Sequence, residues 1–152
     1  MDFEKKVKKL KNIHLIILIS FSIVFFFVWF LTNVLNIGCA VIENPQLVMA
    51  LQYAGIFMTL GGLVYGYHNY SETLKKHKDS IEEAIKQDCF IKTKKVQNYI
   101  IYFLFVLNIL LFVLTNQKQF ELLTAVTLIV CAINFPKMSK YLEDYEISDS
   151  NS

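Results

Sequence analysis

Apolar residues run along this chain without alternation and without charge over stretches long enough to cross a membrane. Residues 12–42, 44–71, 96–117 and 122–136 contain no Asp, Glu, Lys or Arg, and the first of these windows is 31 residues long. A soluble helix interleaves charge every few residues to keep one face wet. The hydrocarbon core of a bilayer is roughly 30 Å thick, which takes about 20 helical residues to cross. Only helices or closed barrels satisfy their backbone groups there. A barrel requires strict alternation, which is missing. The pattern predicts an all-α integral membrane four-helix bundle, built of two antiparallel hairpins. Residues 1–152 form one membrane domain, with spans over about 13–36, 46–66, 97–115 and 120–135.

The loops refine this. Residues 116–119 join spans 3 and 4 so tightly that the two must be antiparallel neighbours. Span 4 has about 16 residues and reaches roughly 24 Å. It therefore thins the bilayer, draws on snorkelling by Lys118 and Lys137, or forms a re-entrant hairpin with span 3. In the 67–96 segment Leu74, Ile81, Ala84 and Ile85 recur at helical spacing, Glu82 and Lys86 stand at i, i+4, and Ser80 with Glu83 forms a capping-box pattern. A helix is expected over part of 71–89, either extending span 2 or lying on the inner leaflet. Pro136 closes span 4. The tail over 137–152 turns acidic (Glu143, Asp144, Glu146, Asp149), and from Ile147 on it is expected to be disordered.

Charge supplies direction. All fifteen basic residues are lysines. Five precede span 1, seven lie in 67–96 and two follow span 4, leaving only Lys118 in the loops of the other side. This asymmetry predicts both termini and the 67–96 segment in the cytoplasm of a bacterial plasma (inner) membrane. Tyr65, Tyr67, Tyr70, Tyr99 and Tyr102 fall at the same boundary, where amphipathic rings anchor. The apolar run of span 1 exceeds the 7–15 residues of a signal-peptide core, so the lysines before it are read as a cytoplasmic flank. The same reading sets aside a lipoprotein signal ending at Cys39, because Asn36 stands three residues before it. Cys39, Cys89 and Cys131 form no CxxC pair and are assigned to different depths, so neither a disulfide framework nor a redox motif is expected. The net charge of +2 is too small and too local to point to nucleic acid.

Inside the spans, glycine is the sharpest signal. Gly55, Thr59, Gly62 and Gly66 step by four, three and four along one face of span 2. Small residues let backbones approach where no hydrophobic force drives helices together. This face is expected to receive another helix, from the same chain or from a second copy. The intramembrane polar residues of most interest are Asn108, Ser20 and Thr127; Asn108, near the middle of span 3, is expected to bond a neighbouring helix. His14, His68, His77 and Cys89 match no metal-ligand spacing, and neither metal nor cofactor is expected. No span holds a carboxylate, lysine or arginine, so an ion-coupled carrier lacks its usual parts. HExxH, GxSxG and phosphate-binding loops are missing, and no enzyme is expected.

The layout resembles that of uncharacterised small four-span bacterial inner-membrane proteins, among them immunity proteins against pore-forming bacteriocins and phage-exclusion membrane proteins. The resemblance covers the topology of the whole chain and a local Pro-x-x-Ser-Lys-Tyr stretch (Pro136, Ser139, Lys140, Tyr141). It implies an accessory, immunity or exclusion role, exercised by helix–helix contact with another membrane protein or with a second copy. Two other roles stay open. One is a small homo-oligomeric channel or membrane-potential effector, with Ser20, Thr59, Asn108 and Thr127 supplying pore polarity. The other is a membrane-anchored regulator that docks through the 67–96 segment and the acidic tail.

Overall fold

A computed structural model describes residues 3–37, 41–78 and 82–145. Cys39, Ser80, Ile81 and the tail from Ile147, on all of which the sequence raises expectations, lie outside the described residues. The order is α1 (Phe3–Asn33), α2 (Pro45–His77), α3 (Glu83–Thr115), α4 (Lys118–Ile133) and α5 (Met138–Asp144). Among the described residues every element is helical. α1, α2 and α3 are each long and apolar enough to cross a membrane, and α4 joins them if it is taken with α5 across an 82° bend.

The helices outrun the charge-free windows. α1 begins at Phe3 and not near residue 13, α2 continues to His77, and α3 starts at Glu83. Lysine and glutamate are good helix formers, so the windows marked the apolar slab and not the ends of the helices. The helix expected within 71–89 is the extension of α2, followed by the early start of α3. α3 has Glu82 as N-cap with no side-chain bond, and Ala84 and Ile85 stay exposed. The buried apolar side chains between residues 71 and 96 are Leu74, Cys89, Phe90 and Ile91. The caps follow local chemistry. Asn44 accepts from the backbone of Gln46 at 3.0 Å and Leu47 at 3.4 Å, with Pro45 in the first turn. Asn116 takes a left-handed conformation (φ 50°) to end α3, its N–H reaching Phe112 O at 2.7 Å.

Each long helix buries a narrow seam repeating by fours and threes. On α3 the seam is Phe90, Lys94, Gln97, Ile101, Leu104, Asn108, Leu111 and Thr115, all buried. On α4 it is Phe120, Thr124, Thr127 and Cys131, continued by the C-cap Asn134. Such a 3.5-residue repeat is the packing stripe of helices lying almost side by side. α3 is the hub. Its Phe105 stacks on Phe21 of α1 at 4.0 Å, while Leu104 and Leu111 meet the glycines of α2. α1 and α2 thus flank the α3–α4 hairpin on different sides.

Two apolar clusters close the ends. One joins Phe3, Val7 and Leu10 of α1 to Tyr70 and Leu74 of α2, Cys89, Phe90 and Ile91 of α3, and Tyr141 with Tyr145 of the tail. The other joins Leu111, Phe112 and Phe120, with Val28 and Leu51 packed against them. The first described turn of α1, the ends of α2 and α3 that bound the 67–96 segment, and α5 therefore share one end of the bundle, the lysine-rich one.

Candidate functional site

The lysine-rich end is built from the last turns of α2, the first turns of α3, and α5. The sequence leaves residues 138–145 as a polar tail. They fold because Met138, Tyr141, Leu142 and Tyr145 stand at i, i+3, i+4 and i+7, one helical face. Tyr141 is 2% exposed; its ring lies 4.7 Å from Phe3 and 5.3 Å from Phe90, and its hydroxyl donates to Glu83 Oε1. Tyr70 donates to Asp144 Oδ2, and Lys140 pairs with the other oxygen of Asp144 at 3.1 Å and with Glu143 at 3.3 Å.

Between these elements lies a cavity of about 490 Å³. Lysines enter its wall from three helices: Lys75 and Lys78 from α2, Lys94 from α3 and Lys140 from α5; Asp144 is the carboxylate among them. Lys94 is the unusual group, being 3% exposed. Its Nζ donates to Gln97 Oε1 at 3.0 Å and to Asn134 Oδ1 at 2.6 Å, and it stands 4.7 Å from the centre of the Tyr70 ring. Asn134 Nδ2 donates in turn to Asn98 Oδ1 at 2.8 Å. Gln97 Nε2 and Asn98 Nδ2 are buried with no partner. Burial, with a smaller push from Lys140, lowers Lys94 from 10.5 to about 8 against the pull of Asp144. Lys94 lies just before the charge-free window that opens at Val96, so the site sits where the apolar slab ends.

Within the slab, the small-residue face of α2 is filled by the same chain. A Cβ on Gly55 would run into the Phe120 ring and come within 3.1 Å of Leu111; one on Gly62 would come within 3.0 Å of Leu104, and one on Gly66 within 3.6 Å of Ile100. Thr59 Oγ1 lies 2.7 Å from the Gly55 carbonyl and 3.1 Å from Asn108 Oδ1. One hydroxyl hydrogen cannot serve both oxygens. With the amide turned over, the otherwise unpartnered Asn108 nitrogen donates to Thr59, whose own hydrogen goes to the Gly55 carbonyl. Asn108 thus bonds a neighbouring helix, as its depth in span 3 predicts. The other polar residues separate. Thr127 is buried and bonds the carbonyls of Leu123 and Thr124, while Ser20 faces outward and bonds Ile16 O at 2.9 Å.

His14 departs most from an ordinary boundary histidine. It is fully buried, its Nε2 lies 2.8 Å from Cys131 O, and its Nδ1 meets the Tyr102 hydroxyl. It pins α1 to α3 and α4 at once. Of the five boundary tyrosines, Tyr65, Tyr67 and Tyr99 face outward, whereas Tyr70 and Tyr102 are drawn into Asp144 and His14. His68 pairs with Glu72 at 3.6 Å and His77 lies 2.9 Å from Thr73 O. Among the described residues, no three His, Cys, Asp or Glu side chains converge to hold a metal ion. Comparison with protein-family models, with curated proteins and with solved structures finds no match to this chain.

The lysine pattern, read for orientation, passes over Lys94. The signal is in the stripe: Phe90, Lys94, Gln97 and Ile101 step by four, three and four, so the seam of α3 runs through the lysine.

Proposed function

We propose that this chain crosses the bacterial inner membrane four times, with both termini in the cytoplasm, and serves as a membrane-anchored regulator that holds a ligand at its lysine-rich end. The cavity around Lys94 carries the reading. It places a buried ammonium among amide oxygens and an aromatic ring, and among the described residues no carboxylate comes within ion-pair reach of it. A fold that needed only to span a bilayer gains nothing from desolvating a lysine there.

Three observations support the topology. Fourteen of the fifteen lysines lie at one end. Phe120, in the first turn of α4, packs beside Gly55 and Leu111, and Asn134, just past its last turn, bonds Asn98, so α4 runs the depth between the window boundaries of α3. The 82° bend then turns α5 aside at the boundary. A labelling tag inserted after Asn116 is expected to react with a membrane-impermeant reagent added outside intact cells. Protection of that tag would favour a re-entrant hairpin.

Two observations favour this reading over the alternatives. The glycine face needs no second chain, because α3 and Phe120 occupy it. Thr59, Asn108 and Thr127 are spent inside the bundle and Ser20 faces away from them, so the four do not line one path. Accessory contact with another membrane protein keeps support from α1, whose most apolar stretch is nowhere buried by the rest of the chain.

Native mass spectrometry of the chain, released gently from its own membranes, tests the ligand reading. A small-molecule adduct is expected on the parent chain and on Gly61→Ala, and its loss on Lys94→Met. A parent chain that appears only at its bare mass sinks the reading.

A further inference from the structure

The hydrogen bonds around Lys94 have a direction. An ammonium offers donors only, so the amide oxygens of Gln97 and Asn134 must face it. That fixes both amides. Asn134 then donates to Asn98 Oδ1, which fixes the third. Every amide nitrogen points away from the lysine, and the set ends in two buried donors without partners, Gln97 Nε2 and Asn98 Nδ2. The amide oxygens facing Lys94 are taken. Gln97 is 2% exposed and lines the cavity, so a buried donor without a partner stands beside it.

Charge has the same sign of surplus. Lys75, Lys94 and Lys140 line the cavity against Asp144, which already accepts from Tyr70 and pairs with Lys140. Buried donors without acceptors and cations without a free carboxylate call for an anion.

We infer that this cavity binds a phosphate-bearing anion, held by Lys94, the Gln97 amide and the lining lysines Lys75 and Lys140. The donors come from α2, α3 and α5 and converge from different directions, which suits a tetrahedral group with acceptor oxygens on several sides. A carboxylate presents two oxygens in one plane. Lysine binds phosphate as a point charge and needs no planar match. The depth fits a lipid headgroup, because Lys94 and Ser71 stand where the charge-free windows of α3 and α2 end. A soluble phosphate compound presents the same chemistry from the aqueous side. This inference rests on the ligand-holding reading above and names the ligand's chemistry.

The test uses the full chain, purified in mild detergent and titrated with inorganic phosphate against chloride at equal ionic strength. In parallel, phosphatidylcholine nanodiscs are prepared with and without phosphatidic acid. The readout is the midpoint of thermal unfolding. A saturable rise with phosphate identifies a free phosphate compound as the source. A rise with phosphatidic acid alone identifies a headgroup. In either arm Lys94→Met is expected to weaken the response at least about tenfold, as loss of a charged hydrogen bond does. Lys140→Gln, at a partly exposed side chain that leaves the core intact, is expected to weaken it several-fold. No saturable response of the parent chain to either probe overturns the inference, and so does a response that both variants leave unchanged. An adduct without phosphorus in native mass spectra would leave the ligand-holding reading standing and remove this one.

Discussion

Lys94→Met is expected to be more stable than the parent chain at pH 7, by about 1–2 kcal/mol, although it removes a side chain with two hydrogen bonds. Lowering a lysine from 10.5 to about 8 means that holding its charge in the fold costs about 3 kcal/mol. Replacing the ammonium by a thioether of similar length removes that cost and forfeits hydrogen bonds worth roughly 1–2 kcal/mol. The sign of the pH dependence follows. Between about 8 and 10.5 the unfolded chain keeps a proton on this lysine that the folded chain has released, so stability of the parent rises with pH through that window. Lys94→Met lacks this rise.

The groups facing Nζ do not imitate the effect. Burial and Asp144 hold Tyr70 above its usual range. Burial opposes the charge of Lys140, but Asp144 and Glu143 outweigh it and hold that lysine above 10.5. Lys75 and Lys78 line the cavity from α2 and are common to both proteins, so the difference between the two curves isolates Lys94. Denaturant titrations in mild detergent from pH 7 to 10.5 measure it. A variant less stable than its parent at pH 7, with the same pH slope, would make Lys94 a structural tie and remove the argument that the site is held at a cost.

The second large effect is at Gly55. Gly55→Ala is expected to lower stability by about 1–3 kcal/mol, the usual penalty for overfilling a packed interior. The new methyl would meet a ring carbon of Phe120 with Leu111 Cδ1 only 3.1 Å away, and Phe120 is fully buried, so the ring has nowhere to retreat. Gly61→Ala on the same helix meets nothing within 4 Å, and is expected to be neutral or stabilising by up to about 1 kcal/mol, because glycine is a poor helix residue. Gly55→Leu should leave little folded protein. Unfolding midpoints that place Gly55→Ala level with Gly61→Ala would mean that Phe120 does not cap that glycine.

Much of the fold was legible because the membrane imposes a simple rule: a window without charge is a window in lipid. That rule located the four apolar segments and put Asn108 in reach of a neighbouring helix. It is silent on the ends of the helices because it measures the slab and is blind to helix that continues beyond it, as α1 does from Phe3 to residue 12. The glycine face was readable as a contact face, but spacing along one helix cannot say which helix arrives; Leu104, 42 residues beyond Gly62, and Phe120, 65 residues beyond Gly55, decide that. The site was the least legible part. Lys94 looks like every other boundary lysine until the four-three stripe is traced outward past Val96. His14 looks like a boundary histidine until Cys131 and Tyr102 are seen to meet it. Tyr141 lies in a segment whose acidic composition hides a short apolar face.

The cluster at the lysine-rich end joins α1 to α5, Phe3 against Tyr141. Synthesis delivers those partners at opposite ends of a long interval. The three long helices emerge and can enter the membrane well before α5 is made, yet the cavity has no complete wall until Lys140 and Asp144 arrive with it. A chain stopped before Met138 would be inserted, apolar in the right places and empty of its site. Completion of the site therefore reports that synthesis has passed Asp144, and any ligand it takes marks a chain that carries α5.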